Sequence, residues 1–557
     1  MNKAVPSSLL VVFLLAAVSI VARAAVDSPS VFEHPEPPVA KGEMDRLVLA
    51  RLDQLKIKPM LCSDAVFLRR AYLDVIGRIP TAAEAREFLS SSDADKRNRL
   101  IDRLLEREEF ADYWAMRWGD ILRIKAEFPV NLWPNAAQAY HRWVRTSIAE
   151  NKPYDRFARE LLTSSGSNFR VPPVNFYRAI QNRTPEGITA AVALAFMGSR
   201  IDSWPTEKVQ NMTVFFSQVG YKPTREWKEE HVIWDPYGVT RQIPKANVDT
   251  GETPPAGPIT ATRALEDPIA VTFPDGSKGE LRPDQDPREV FADWLIRKDN
   301  PWFARAIVNR VWWWLLGRGI IHEPDDIRDD NPPSNPELLA YLEKQFVESG
   351  YDMKKLYRLI LTSQTYQLSS RLRVDTPEAR AQFAAYPLRR LDAEVLIDAI
   401  NEITGTSDLY TSPIPEPFTY IPKDKPAVAI ADGSITSPFL ALFGRSARAT
   451  GMENERDNKP VPAQALHMLN SSHIQRKIEQ GPKLTALFAS DKKASEMIEE
   501  LYLTVLSRYP TAEELKTIEA YRAPGATTRR SSRGRSREEW VDITWALINS
   551  PEFMYRH

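Results

Sequence analysis

Two distant stretches of this chain spell the same helix, corner and second helix, and a chain built this way at both ends folds as packed helices. Tyr72-Leu-Asp-Val-Ile-Gly-Arg-Ile-Pro-Thr-Ala-Ala-Glu84 is echoed by Tyr502-Leu-Thr-Val-Leu-Ser-Arg-Tyr-Pro-Thr-Ala-Glu-Glu514. In each, an apolar helix stops before Pro80 or Pro510, whose ring fixes φ and removes a donor. Thr81 and Thr511 are then placed to cap the next helix, with Glu84 and Glu514 closing a capping box. Two copies so far apart do not make a solenoid. They predict similar corners at the two ends, packed in one body.

Elsewhere, apolar residues recur at helical spacing. Leu47, Leu49, Leu52 and Leu55 open the series after Glu43. Phe67 to Ile76, Arg99 to Arg107, Asp112 to Lys125, 135–150, 153–163 and Gly187 to Phe196 continue it. Near Tyr221 the texture changes. Val232-Ile-Trp234, Ile259 to Arg263 and Ile269 to Phe273 read as short strands, and Pro274-Asp-Gly276 as a turn. Helical spacing returns with Glu289 to Arg297, Trp302 to Leu316, Pro336 to Ser349, Met353 to Ser363 and Asp392 to Ile403. Residues 411–437 are Pro-rich and are expected to cross the surface. Pro462 to Gln480, Ala494 to Ser507, Ala512 to Tyr521 and Trp540 to Asn549 read as the closing helices. The expected fold is mainly α: a helical region at 43–220, a small β-rich segment at 221–286 and a second helical region at 287–557.

Residues 1–25 have the form of a secretory leader. Lys3 gives a positive start, Leu9 to Val21 is an apolar run too short to span a bilayer, and Ala22-Arg-Ala24 is a small-x-small cleavage site between Ala24 and Ala25. Residues 26–42 read as a Pro-rich linker. The expected location is therefore the periplasm, the cell envelope or the exterior, with no integral membrane segment after cleavage. The chain holds one cysteine, Cys62. An internal disulfide is excluded even in an oxidising compartment, and a buried structural thiol is expected. The formal net charge of −1 becomes more negative once Lys3 and Arg23 are removed, which gives no basis for a nucleic-acid partner.

The longer motifs resemble a known pairing. Phe67 to Asp74 and Gly77 to Thr81 resemble the planctomycete cytochrome-associated family known as domain of unknown function 1549. Its usual partner, domain of unknown function 1553, is resembled by Asn300 to Trp312, Gly317 to Ile321, Asp325 to Arg328, Asn331 to Leu339 and Leu359 to Gln367. The likeness continues through Arg389 to Glu394, Gln464 to Asn470 and Trp545 to Phe553. The resemblance implies an exported, mainly helical protein and no established reaction. Many relatives carry a Cys-x-x-Cys-His haem-attachment motif after the Gly-Arg stretch of the first domain, and some add a cytochrome domain in front. Here Phe196 to Gln210, where that motif is sought, has neither Cys nor His, and Phe443 to Arg456 has no Cys. One thiol cannot supply the two thioethers of a c-type haem. This chain therefore resembles a haem-less member, and no cofactor is expected.

The densest polar cluster is Asp325, Asp326, Arg328, Asp329, Asp330 and Asn331, followed by Asn335. Such oxygens suit a hard cation, a sugar or an acid–base pair. They equally suit a salt-bridged loop whose Asp and Asn side chains satisfy free backbone groups. Asn309 and Arg310 lie on the apolar helix beside Trp312-Trp-Trp314. If buried they need partners, and Arg310 would pair with Asp325 or Asp326. The three tryptophans point in different directions at helical spacing, so at least two are expected in the core. His467 and His473 fall six apart on one expected helix, which is not metal-pair spacing, and no metal site is expected. No nucleophile-elbow or P-loop pattern occurs.

No catalytic residue is assigned. The expected function is a non-enzymatic envelope scaffold or binding module that has lost haem attachment, with an unknown protein or polysaccharide partner. The alternative is a carbohydrate-active hydrolase or sugar-binding protein using Asp325 and Asp326.

Overall fold

The computed structural model describes residues 31–242, 267–521 and 535–557. The leader with its Ala24–Ala25 cleavage site and the strand expected at Ile259 to Arg263 lie outside the described residues. Helices dominate what remains, and their ends follow capping chemistry. Thr81 accepts from the Glu84 amide and Thr511 from the Glu514 amide, and both corners close full capping boxes. The chain turns through φ +64° at Gly77 and +60° at Ser507.

The two corners meet. The Ala82–Ser90 helix lies against Ala494–Leu506, where Arg86 pairs with Glu500 at 3.1 Å. Arg69, fully buried, donates to the carbonyls of Val505 (2.9 Å) and Phe553 (2.8 Å). One continuous apolar core runs through both halves. Its aromatic seam places Trp114 of the Glu108–Ile121 helix 5.3 Å from Trp314 of the Phe303–Leu316 helix and 4.4 Å from Tyr357. Trp312 and Trp314 are buried and Trp313 is half-buried. Cys62 is a buried free thiol.

Strands are short and local. Glu230–Trp234 sits between Val219–Pro223 and Gly166–Ser167, all antiparallel, with Val219 opposite Trp234 and Gly166 opposite Val232. The first sheet thus begins before residue 221 and recruits a strand from inside the first helical region. Ile269–Thr272 and Lys278–Leu281 form the hairpin signalled by Pro274-Asp-Gly276. A third pair was not expected: Arg389–Arg390 with Tyr555–Arg556.

Two other expectations are corrected. Residues 411–437 do not simply cross the surface. Ala427 to Asp432 are buried, the amides of Ala427 and Val428 donate to Asp398, and Gly433 donates to the Ile124 carbonyl. Proline density signals turns and says nothing about what packs over them. The helix expected over Pro462 to Gln480 is two, Pro462–Asn470 and Ser472–Gln480. Ser471 is extended (φ −76°, ψ 137°), and its hydroxyl accepts from the Ile474 amide, so a cap interrupts the periodic run.

Candidate functional site

On its buried side the Phe303–Leu316 helix is apolar apart from Asn309 and Arg310, so both side chains must find partners. Asn309 clamps the backbone of one residue: its amide donates to the Ile321 carbonyl and its oxygen accepts from the Ile321 amide, each at 2.9 Å. Arg310, fully buried, donates to the Ala195 (2.8 Å) and Leu194 (3.1 Å) carbonyls near the end of the Pro185–Met197 helix, and to Asp325 at 2.8 Å. The other Asp325 oxygen accepts from the Glu453 amide at 2.7 Å. The Glu453 carboxylate receives the Trp314 indole at 2.8 Å and lies 3.4 Å from Arg310. Burial pushes the Glu453 carboxyl up despite the nearby guanidinium. Asp325 and Arg310 thus form a closed pair with Glu453, a residue from the distant Glu453–Glu455 turn that its sequence neighbourhood does not point to.

The rest of the cluster separates from this pair. Asp326 is bound by Arg200 at 3.1 Å and by Arg328 at 3.3 Å, and Arg328 also meets Asp330 at 3.3 Å. Asn331 donates to the His322 and Asp326 carbonyls. Asn335 caps the Pro336–Glu348 helix by accepting from the Leu338 amide at 3.0 Å. Each of these contacts neutralises a charge or satisfies a backbone group. Two half-buried indoles, Trp204 and Trp302, lie nearby with centroids 6.5 Å apart, and the Lys208 ammonium sits 4.2 and 4.7 Å from them. Asp329 acts electrostatically on that lysine.

A larger buried network was not foreseen. Asp120 receives Arg448 (3.0 Å) and Arg456 (2.8 Å). Glu394 receives Arg456 (2.6 Å) and Arg445 (3.1 Å). Asp392 receives Arg117 (2.6 Å), Arg556 (2.8 Å) and the Asn458 amide (2.7 Å). Asp74 receives Arg556 (3.1 Å) and the hydroxyls of Tyr366 and Tyr386, both at 2.8 Å. Burial alone would raise the Asp392 carboxyl, but Arg117, Arg556 and Arg456 hold it far below the usual range. For Glu394 the same opposition, won by Arg456 and Arg445, leaves it at about 2. Four carboxylates and their guanidinium partners, drawn from both helical regions, lie almost wholly out of contact with water.

The break at Ser471 brings His467 and His473 together, contrary to their placement on a single helix. Their facing nitrogens, Nε2 and Nδ1, are 3.4 Å apart, and His473 Nε2 is 2.8 Å from Asp408. This is a hydrogen-bonded chain of two rings and a carboxylate. Among the described residues, no group of three or more His, Cys, Asp or Glu side chains is arranged to hold a metal ion. Covalent haem does not fit either. Residues 196–210 supply no thiol or imidazole, and Cys62 is buried in another part of the core. No helix among the described residues is long and apolar enough to cross a membrane.

Residues 43–219 match the domain described as a protein of unknown function, DUF1549 (PSCyt2), and residues 287–522 match the protein of unknown function DUF1553 (PSD1). No curated protein and no solved structure matches the chain. The order, the spans and the lone cysteine agree, and the chain belongs to the proteins that pair these two domains, as a member without the haem-attachment motif.

Proposed function

We propose that this chain is an exported, non-enzymatic scaffold or binding module of the cell envelope. One observation carries the reading: the buried carboxylates of its two largest ion clusters are paired within the protein. Arg310 pairs with Asp325 and lies beside Glu453, and Asp74, Asp120, Asp392 and Glu394 are each held by arginine beneath the surface. General acid–base work needs a carboxyl within reach of a substrate proton, and these are reserved for joining two domains. The test is made on natively expressed protein. The expected outcome is a mature chain starting after Ala24 in the envelope fraction, no Soret band, and a partner or ligand recovered by affinity capture from native envelope. A cytoplasmic chain retaining its first 24 residues would refute export. Failure to recover any partner, with no ligand-dependent thermal shift, would refute the binding role.

A second reading is favoured by Trp204, Trp302 and Lys208 beside the outer acids. It makes Asp326 or Asp330 part of a glycan-hydrolysing site. Turnover on a glycan panel that disappears in Asp326→Asn would support it. Turnover that survives the substitution would remove Asp326 from that role.

A further inference from the structure

The break at Ser471 sets the Pro462–Asn470 helix against Ser472–Gln480, and the two are attached to the molecule unequally. Ser472–Gln480 buries Ile474, Lys477 and Ile478 and packs on three further helices, Ala393–Thr404, Pro482–Phe488 and Arg537–Ile548. Pro462–Asn470 buries only Gln464 and Met468 and leaves Leu466 59 % exposed. Gln464 donates to the Leu442 carbonyl at 2.9 Å. His467 adds a further tether: its ring stands edge-on to Phe439 at 5.6 Å and Phe443 at 6.1 Å. Those two rings stack on each other at 4.2 Å and are buried.

The tether is made nitrogen to nitrogen. His467 Nε2 and His473 Nδ1 face each other at 3.4 Å, with ring centroids 5.7 Å apart and planes inclined at 64°. A neutral imidazole has one donor and one acceptor nitrogen, and an imidazolium has two donors. The contact therefore holds only while one of the facing nitrogens is bare. On its far side, His473 Nε2 is 2.8 Å from Asp408. Burial would raise that carboxyl, but the His473 hydrogen bond and the Lys477 ammonium, 3.4 Å away, bring it below its ordinary value, so it stays an anion through the histidine range. Two ring protons, or three, suit this chain of groups. A fourth makes both rings cations, with N–H facing N–H and like charges in contact.

The other charges on the surrounding elements are engaged elsewhere. Lys477 donates to Asn401 Oδ1 at 2.7 Å and is acted on by Asp398 of the Ala393–Thr404 helix. From that helix Glu402 holds Lys483 of Pro482–Phe488 at 2.6 Å. Arg476 turns back to the Ser472 carbonyl at 3.0 Å, the Glu479 carboxylate accepts from Gln475 at 2.7 Å, and Arg537 donates to the Glu479 carbonyl. The Pro438–Leu442 helix and Phe443 bring no charge. The pair thus has one nearby anion, Asp408, which serves His473 and not the facing nitrogens.

We propose that His467 and His473 form a proton-operated latch: up to three ring protons hold the Pro462–Asn470 helix over Phe439 and Phe443, and a fourth releases it. The device goes beyond the binding-module reading and does not depend on it. Burial, and then the neighbouring imidazole, lower His467 below its ordinary 6.5, with Asp408 acting the other way. The closed form is therefore fully favoured above pH 6.5 and loses stability as pH falls below it. Opening uncovers the stacked phenyl rings and leaves Ser472–Gln480 on its three helices.

The full chain, labelled with nitrogen isotope in histidine, is titrated by NMR from about pH 8 to about pH 4 across the histidine range. Hydrogen exchange over residues 462–470 and 472–480 is measured at each pH and corrected for intrinsic rates. His467→Gln, His473→Gln and, as a control in the Glu230–Trp234 strand, His231→Gln are run alongside. The expected result is a pair titrating in two steps about one pH unit or more apart. Protection of 462–470 falls about tenfold as the second step is passed, the linkage equivalent of one unit, while 472–480 keeps its protection. In His467→Gln and His473→Gln a single step remains and the protection of 462–470 no longer follows pH; the control matches wild type. Two rings that titrate as independent groups overturn the proposal, as does protection of 462–470 that is unaltered across both steps. An acid loss of protection that persists in His473→Gln with the same midpoint also overturns it. Should His473→Gln fail to fold, His467→Gln, on the thinly attached helix, decides by the same readings.

Discussion

Asp392 shows how much a single residue holds here. Its Oδ2 accepts from both Arg117 of the first helical region and Arg556 near the C-terminus, its Oδ1 accepts from Asn458, and it is fully buried. Removing one partner of a buried ion pair leaves an uncompensated charge, at about 3–5 kcal/mol. Asp392→Asn is therefore expected to lower unfolding stability by that amount in urea titrations. A change below about 1 kcal/mol would show that the guanidiniums find other acceptors. His141 makes a prediction of opposite character. Burial, reinforced by Arg448, lowers its pKa from 6.5 to about 3, so the folded protein keeps the ring neutral. The unfolded chain takes up a proton below about 6.5. Stability from this residue is thus present above pH 6.5 and is lost as pH falls from there toward 3. The measurement is melting temperature against pH: His141→Gln should show a shallower acid limb over that window, and an unchanged limb would refute the assignment.

At the scale of elements, the two corners differ in one way that can be measured. Gly77 turns at φ +64°, and a Cβ there would stand 2.4 Å from the Tyr113 ring. Gly77→Ala combines backbone strain with an overpacked core, and a loss of about 1–3 kcal/mol is expected. A neutral result in thermal unfolding would mean that the Tyr113 ring yields. Ser471 interrupts a run that reads as one helix, and its hydroxyl holds the second segment's first turn. Ser471→Ala should cost about 1 kcal/mol and loosen the contact between His467 and His473, visible as an altered titration of the His467 ring, which burial and the neighbouring imidazole lower, in NMR spectra.

Across the whole molecule, the ion network and the core are common to both domains. The expected outcome is a single calorimetric transition for the mature chain and no stable fold for residues 43–219 alone. Two separated transitions would refute this coupling. What was legible in the sequence was local. Periodicity and caps placed the helices within a few residues, because 3.6-residue spacing and Thr-x-x-Glu boxes act over one or two turns. Arg310 with Asp325 was readable because they are fifteen residues apart and Arg310 had to be satisfied inside an apolar helix. Arg456 with Asp120, or Arg556 with Asp74, was not. Their separations of 336 and 482 residues leave no trace in spacing.

The seam where Trp114 meets Trp314 has an optical consequence. Two indoles 5.3 Å apart and inclined at 48° have coupled transitions, and one belongs to each domain. Their circular dichroism should carry an exciton couplet that exists only while the halves are docked. Trp118 lies 5.9 Å from Trp314 as well, so Trp314→Phe would remove both contributions and leave the helical bands and the remaining indole pairs in place, and the difference between the two spectra would follow domain separation.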